Sequence, residues 1–139
     1  MNTTAQLQVG DTPVSRRFAP VTRHDLALYC GASGDHNPIH VDIDFAKKAG
    51  FPDVFAHGMW VMGRLGVALN DVFPVDRIRE YGVRFTSITH IGDELVCEGR
   101  VTALEESNGE QRARLEMTAS DQNGDVKVKG EAVVALVPQ

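Results

Sequence analysis

The stretch that most constrains the fold of this chain is 56–70, because it has the pattern of a helix that is apolar on nearly every side. A helix of this kind is normally buried, so the rest of the chain has to supply a surface that covers it. Glycines at 58, 63 and 66 weaken the helix, and we expect close packing or access to the backbone there. The apolar members are Met59, Trp60, Val61, Met62, Leu65, Val67, Ala68 and Leu69.

After Pro74 the apolar pattern changes to a period of two, which predicts strands. We expect them over 78–85, 94–101, 113–119 and 126–136. The dipeptides at 92–93, 108–109 and 123–124 predict turns, and two of them are Asn-Gly, a strong hairpin signal. The sequence therefore predicts an antiparallel meander packed around the helix, which is an α+β architecture.

The part of the chain before residue 56 carries loops and shorter helices. Residues 21–32 predict a helix with Thr22 as its N-cap and Asp25 three positions later. Residues 42–49 predict a short helix closed by Gly50 and Pro52. Between them, residues 31–40 predict a turn of defined backbone conformation. Gly34 permits backbone angles that other residues avoid, and Pro38 fixes its own φ angle.

Length and charge exclude several classes of function. The chain has 139 residues, which suits one domain over 1–139, and a net charge of −5, which argues against nonspecific nucleic-acid binding. Cys30 and Cys97 show no metal-type pairing, so we expect no disulfide and a cytoplasmic protein. We expect no signal peptide at the start of the chain, and no segment reaches the roughly 20 apolar residues of a membrane helix.

The residues that suggest a functional site lie in this turn and just before the long helix. Residues 33–40 read SGDHNPIH, and residues 56–59 read AHGM. An acid, an amide and three imidazoles collected without a packing reason suggest a site. Asp35 and His40 are a suitable acid/base pair, and the turn at Pro38 can bring them together although five helical positions would not. The alternative is structural: Asp35 caps a turn and His40 is an ordinary loop histidine.

These residues resemble the MaoC-like hydratases, the R-specific enoyl-CoA hydratases and 3-hydroxyacyl dehydratases of the hotdog fold. The hydratase motif stands here as YCGASGDHNPIH over 29–40, with Ala46 following. The second element is AHGM over 56–59, and the third is VRF over 83–85. The elements come in family order and the resemblance covers nearly the whole chain.

The resemblance implies a single hotdog domain, in which an antiparallel sheet wraps around a long central helix. It implies a homodimer that adds water reversibly to a trans-2-enoyl thioester, giving the 3R-hydroxyacyl thioester. No redox cofactor and no metal are expected, and coenzyme A or acyl carrier protein enters only as part of the substrate. Asp35 and His40 would hold one water, and Gly58 would offer a backbone N–H to the enolate oxygen.

Six further residues are candidates for binding or support. Ser33 supplies a supporting hydroxyl, Asn37 supports the loop or the acid, and His57 orders the loop before Gly58. Met59 and Trp60 are most simply core, with pocket lining as the alternative, whereas Arg84 could meet coenzyme A phosphates or serve the dimer. His36 and His40 have the i,i+4 offset of a zinc pair, but Pro38 between them spoils the helix, so we expect His36 to be exposed.

Two other functions stay open at this stage. A hotdog acyl-CoA thioesterase also needs an acid or base and a helix N-terminus. A non-catalytic acyl-binding subunit of a heterodimeric dehydratase would be expected to have lost the Asp35 and His40 pair, and this chain has both.

Overall fold

The computed structural model describes residues 6–137, which form five strands and three α-helices. Two short 3₁₀ turns, Pro38–His40 and Val75–Arg77, lie between them. In chain order the elements are β1 (Val14–Arg17), α1 (Arg23–Ser33), α2 (Ile43–Lys48), α3 (Gly58–Val72), β2 (Ile78–Phe85), β3 (Val96–Ser107), β4 (Glu110–Ser120) and β5 (Val126–Ala135).

The strands form one sheet in the order β1-β3-β4-β5-β2, and each neighbouring pair is antiparallel. The predicted meander is confirmed for β3, β4 and β5, and Asn108 and Gly109 form the two-residue loop of the first hairpin, both with positive φ. It is wrong for β2, which crosses to the far edge and pairs with β5. No local signal indicates this, because the partner of β2 is some fifty residues away.

Helix α3 lies against the inner face of the sheet, as the sequence predicted. Leu65 and Leu69 are fully buried with Leu115 and Met117 of β4. Burial of a side chain of this size contributes roughly 1.5–3 kcal/mol. The prediction that the helix is buried on every side is wrong for one face, because Met59 is 56% exposed and Val67 is 42% exposed.

The bounds of the elements differ from the predicted ones for identifiable reasons. Helix α3 starts at Gly58 because the chain from 54 to 57 is extended and pairs across to the β2–β3 connection, where Phe55 bridges His90. Strand β3 runs on to Ser107, and the predicted end at 101 is too early because residues 102–107 lose the apolar alternation in sequence. Strand β1 was missed because only Val14 of its four residues is buried.

Strands β2 and β5 approach each other closely at a pair of glycines. A Cβ placed on Gly130 would lie 1.9 Å from the carbonyl oxygen of Gly82 and 2.6 Å from Cα of Val83. Only glycine therefore fits at this position. At the end of β2 the Phe85 ring lies over Gly58, the first residue of α3.

The helices before α3 form as predicted. Thr22 caps α1 in a capping box with Asp25, and Asp42 caps α2. Helix α1 continues through Ser33, so the predicted turn starts three residues later than expected. It ends at Gly34, whose φ of 77° is the left-handed conformation of a helix C-terminus. No helix in residues 6–137 is both long and apolar enough to cross a membrane.

A buried lysine ties the β2–β3 connection to the β4–β5 hairpin. The Lys127 side chain is 3% exposed, and its Nζ donates to the Ile88 carbonyl and to Asp125, each at 2.8 Å. Carboxylate oxygens of Asp121 and Asp93 lie at 3.5 and 3.6 Å. Burial acts to lower the pKa of Lys127, but the three carboxylates outweigh it and raise the pKa, so the lysine is charged.

Candidate active site

The site forms where the N-terminus of α3 meets the turn between α1 and α2. Gly58 is the first residue of α3, and His57 is its N-cap residue, without a side-chain capping bond. The first N–H groups of a helix have no partner within the helix. The Gly58 N–H has no partner elsewhere among residues 6–137 either, and the residue is exposed. A backbone donor is therefore free at this point.

The turn that carries Asp35 is held by its own side chains. The Ser33 hydroxyl donates to the Tyr29 carbonyl at 2.7 Å and accepts from the Asp35 N–H at 3.1 Å. The Asn37 N–H donates to Oδ1 of Asp35 at 3.3 Å, and the Asn37 amide oxygen accepts from the Ile39 N–H at 3.1 Å. These bonds fix the backbone while the Asp35 carboxylate stays exposed.

His40 is buried and its tautomer follows from one contact. Its Nδ1 lies 2.7 Å from the carbonyl oxygen of Phe55. A carbonyl can only accept, so Nδ1 carries the proton and donates. In the neutral ring Nε2 then holds a lone pair, which has no partner among the described residues. His40 thus presents a free base at Nε2.

His57 packs against both members of the pair. Its ring stacks on that of His40, with centroids 3.8 Å apart and planes 24° apart. Its Nε2 lies 3.3 Å from the Asp35 backbone carbonyl, to which it donates, and 3.4 Å from Sγ of Cys30. The buried Nδ1 has no partner in the described part of the chain. A second proton there would be an unpaired buried donor, so His57 is neutral.

The pKa of His57 agrees with this assignment. Burial lowers it most, and the nearby His40 lowers it further, against a smaller opposite effect of the Asp35 backbone and charge. Burial, with the Asp35 carboxylate, also raises the pKa of the Cys30 thiol, which therefore stays protonated. The groups around Asp35 and His40 are thus uncharged at neutral pH.

Asp35, His40 and His57 converge on a small space. One carboxylate oxygen and one nitrogen of each ring all lie within 4.8 Å of one another. One water that makes two hydrogen bonds of about 2.8 Å at a tetrahedral angle spans about 4.5 Å. The Asp35 carboxylate and the free base of His40 are therefore placed to share a water.

The same cluster is poorly arranged for a metal ion. The ring lone pairs lie in the ring planes, and two stacked rings direct them side by side rather than at one point. The donors do not converge as a tetrahedral zinc site requires, and we assign no metal to them. His36 is exposed and outside the cluster.

Three candidate residues are not members of this cluster. Met59 is on the exposed face of α3. Trp60 is buried, and the Arg64 guanidinium lies 4.7 Å above its ring, between it and Phe18. Arg84 alternates with Val83 and Phe85, which face α3, so it points to the opposite face of the sheet, beside Lys129 and Glu131.

Sequence reasoning missed some of the residues around the pair. The Phe55 carbonyl, the Cys30 thiol and the edge of the Tyr29 ring, whose centroid is 4.7 Å from that of His57, all contact the imidazoles. A backbone carbonyl leaves no signal in the sequence, because every residue has one. Tyr29 and Cys30 lie within the motif at 29–40, which was the available signal.

We expect His57 to make the stability of the fold pH-dependent. In the unfolded chain an ordinary histidine takes up a proton near pH 6.5, whereas folded His57 takes it up only at lower pH. The contribution of the neutral ring is therefore present above pH 6.5 and is lost as the pH falls. Urea unfolding at pH 7.5 and 5.5 should show a smaller loss in His57→Gln than in the wild type.

His24→Gln is the control for this measurement, since His24 is exposed on α1. It should lose as much stability on acidification as the wild type. An equal loss in His57→Gln and the wild type would show that His57 accepts the proton in the folded state.

The arrangement of motif, turn and helix has counterparts among known proteins. A family model described as MaoC like domain matches residues 4–123. The chain belongs to the MaoC-like family. The match includes the Asp35 and His40 turn and the Gly58 end of α3, and it confirms the resemblance seen in the sequence.

Two relatives of this chain are named, one as a hydratase and one as a dehydratase. An (R)-specific enoyl-CoA hydratase of Aeromonas caviae is 32% identical over 133 residues, which cover 94% of this chain and 96% of that protein. A mitochondrial 3-hydroxyacyl-[acyl-carrier-protein] dehydratase of Arabidopsis thaliana is 30% identical over 131 residues, 94% of this chain and 78% of that protein. The MaoC-like chain is accordingly an enzyme of the hydratase/dehydratase type.

Solved structures confirm the hotdog fold. The R-hydratase PhaJ1 of Pseudomonas aeruginosa superimposes with a TM-score of 0.83 at 30% identity, over 98% of this chain and 86% of that one. The (R)-hydratase of A. caviae gives 0.80 at 30% identity, over 94% of this chain and 98% of that one. Both chains share the α+β architecture described above.

Proposed function

We propose that this MaoC-like enzyme adds water reversibly to a trans-2-enoyl thioester to give the (3R)-3-hydroxyacyl thioester. The observation that carries the proposal is the cluster of the Asp35 carboxylate with buried His40, whose Nε2 is free, and with His57, which directly precedes the unpaired N–H of Gly58. The names of the relatives, an enoyl-CoA hydratase and a 3-hydroxyacyl-carrier-protein dehydratase, support the substrate class.

The steps follow from the positions of these groups. Asp35 and His40 hold one water between them, and His40 Nε2 takes a proton from it as the water oxygen bonds to C3. Charge then moves to the thioester oxygen, which accepts the Gly58 N–H at the positive end of α3. The proton returns to C2 on the same side, so that one water supplies both hydroxyl and proton.

The supporting roles follow from the contacts. Ser33 and Asn37 keep the Asp35 turn in shape, because their bonds lie within it. His57 holds the ring of His40 and the backbone of Asp35 from one side. Met59, Trp60 and Arg84 are not members of the cluster, and the proposed steps do not use them.

The exposed face of α3 and the free edge of β2 support a homodimer. Met59, Val67 and Phe85 are exposed apolar side chains on these two elements. The outer edge of β2 has no partner strand among residues 6–137. A second copy pairing at β2 would cover both features. The homodimer is thus part of the proposal, and the cytoplasmic location stays a prediction.

The test is the absorbance of crotonyl-CoA and of a longer trans-2-enoyl-CoA with purified protein, alongside a thiol assay. Loss of enoyl absorbance without thiol release, with the 3R alcohol as product, is expected. Thiol release would instead identify a thioesterase. No reaction with the homodimer would contradict the proposal and favour a non-catalytic subunit.

We expect Gly58→Pro to test the oxyanion donor. Proline suits the first position of a helix, and His57 already has the extended backbone that precedes proline. The substitution removes the N–H and should lower kcat about 10²-fold relative to Gly58→Ala.

Gly58→Ala is the matched control, because it keeps the N–H and adds a Cβ that lies 2.9 Å from the Phe85 ring. Both variants disturb this ring, so only their difference reports the donor. Equal kcat values in the two variants would contradict the role of the Gly58 N–H.

A further inference from the structure

The imidazole of His40 is held by one hydrogen bond within the described part of the chain. Its Nδ1 donates to the Phe55 carbonyl, and Nε2 has no partner there. One bond fixes only one point of a ring. The rotation of a histidine ring about its bond to Cβ is broad rather than confined to three staggered positions. The direction of Nε2 therefore depends on what packs against the ring.

Five aromatic rings form a continuous row through His40, called here the aromatic row. The ring of His57 stacks on that of His40, and the ring of Phe55 is nearly perpendicular to it, with centroids 5.3 Å apart and planes 82° apart. Tyr29 extends the row beside His57, and Phe51 extends it beside Phe55. The rings come from helix α1, from the turn and from the chain between α2 and α3. His40 thus contacts rings from outside its own turn.

The side chain of Phe55 is not part of the hydrophobic core. Among the described residues, the half-buried side chains that pack against the core include Tyr29 and Phe51 but not Phe55. The Phe55 ring is half-buried, and it forms part of the wall of a cavity of about 340 Å³ beside Gly58. Core packing therefore does not account for an aromatic residue at this position, whereas the contact with His40 does.

We propose that Phe55 is a positioning residue, whose ring keeps Nε2 of His40 directed at the water shared with Asp35. The proposal rests on the proposed function, because it concerns the same base and the same water. The main-chain oxygen of Phe55 determines which nitrogen of His40 carries the proton. Its side chain determines where the other nitrogen points.

Loss of the Phe55 ring would give the imidazole room to move. Because Phe55 both contacts His40 and lines the cavity, a smaller side chain would extend the cavity to the imidazole. The bond to the carbonyl would remain, and the ring would swing about it into the added space. A misplacement of about 1 Å can lower a rate about 10²-fold. We expect a smaller effect here, since His57 still stacks on the ring.

The kinetic experiment compares two substitutions that both keep the main-chain oxygen. Phe55→Leu removes the ring, and Phe55→Tyr keeps it. With crotonyl-CoA, Phe55→Leu should lower kcat about tenfold and change KM by less than about twofold. Phe55→Tyr should have a kcat close to that of the wild type. A wild-type kcat in Phe55→Leu, or an equal loss in Phe55→Tyr, would contradict the proposal.

The double variant Phe55→Leu/His40→Ala distinguishes positioning from a direct contact with the substrate. Because Phe55 acts through His40, Phe55→Leu should not slow the residual reaction of His40→Ala any further. A further loss of about tenfold would mean that the ring acts on the substrate or on the fold as a whole, and would overturn the proposal.

Phe51→Leu is the matched control, because Phe51 is the next ring in the aromatic row and packs against the core. It should lower the midpoint of thermal unfolding more than Phe55→Leu does, and kcat less. If the losses of kcat instead follow the losses of stability, the role of Phe55 is packing and the proposal fails. Phe55→Met, which also lacks a ring, takes the place of Phe55→Leu if that variant does not fold.

Exchange of the His40 Nδ1 proton with water, measured by NMR, tests the positioning without a substrate. The proton should exchange about tenfold faster in Phe55→Leu than in the wild type, because a mobile ring breaks its hydrogen bond more often. The signal is assigned by its absence in His40→Ala. Equal exchange rates would overturn the proposal. If no thioester is hydrated, the proposed function fails, and the exchange rates still decide whether Phe55 holds the ring.

Discussion

Asp35→Asn and His40→Ala are each expected to lower kcat for hydration of crotonyl-CoA by about 10²–10⁴-fold, with a much smaller change in KM. In the proposed mechanism the two groups share one water, and the Phe55 carbonyl fixes the His40 ring so that its Nε2 lone pair is free. Without the imidazole nothing receives the proton, and without the carboxylate the water is not aligned with C3. Initial rates from the loss of enoyl absorbance measure the effect.

The double variant, with both Asp35→Asn and His40→Ala, gives a further test of the shared water. Because both groups act on the same water in the proposed mechanism, the kcat of the double variant should be close to that of the slower single variant rather than to the product of two losses. His36→Ala is the matched control, since His36 lies in the same turn, is exposed and belongs to no cluster. Wild-type rates in folded Asp35→Asn and His40→Ala proteins would falsify the mechanism.

The largest effect on stability is expected from Lys127→Met, which should lower the free energy of unfolding by about 3–5 kcal/mol. Methionine fills the same volume but leaves Asp93 and Asp121, whose side chains are 12% and 10% exposed, without their cation. Uncompensated buried charge is among the most destabilising changes in a protein. The midpoint of thermal unfolding should fall by on the order of 10 °C.

Lys129→Met is the control for this variant. Lys129 lies two residues further along β5, is 45% exposed and has its nearest carboxylate, Glu116, at 3.9 Å. Its loss should change stability by less than about 0.5 kcal/mol. Asp121→Asn introduced into Lys127→Met should recover part of the stability, because it removes one buried charge. A loss below about 1 kcal/mol in Lys127→Met would show that water reaches the carboxylates.

The parts of the fold that could be read from the sequence are those fixed by neighbours in the chain. The capping box of Thr22 and Asp25 and the Asn108-Gly109 turn form from residues two or three positions apart. Strand β2 instead pairs with β5, in which the partner of Val83 is Gly130, almost fifty residues away. A single sequence carries no signal for such a pairing.

The candidate site likewise has residues that the sequence could indicate and residues that it could not. Asp35, His40, His57 and Gly58 lie in two short stretches of unusual polar composition, and the structure brings these stretches together. The Phe55 carbonyl, which accepts from Nδ1 of His40, gave no such signal, since every residue has a main-chain oxygen. Trp60 and Arg84 carry groups typical of binding sites, but the helix face and the strand alternation direct them elsewhere.

The bond from His40 to the Phe55 carbonyl has a consequence for how this enzyme tolerates mutation. Where a carboxylate side chain sets the tautomer of a catalytic histidine, a single codon change can remove it. Here the acceptor is a main-chain oxygen, which every amino acid at position 55 supplies. Substitutions at position 55 can change the side chain beside His40 while the proposed base keeps the same tautomer. The surroundings of His40 can therefore diverge over evolutionary time without a change in which ring nitrogen carries the proton.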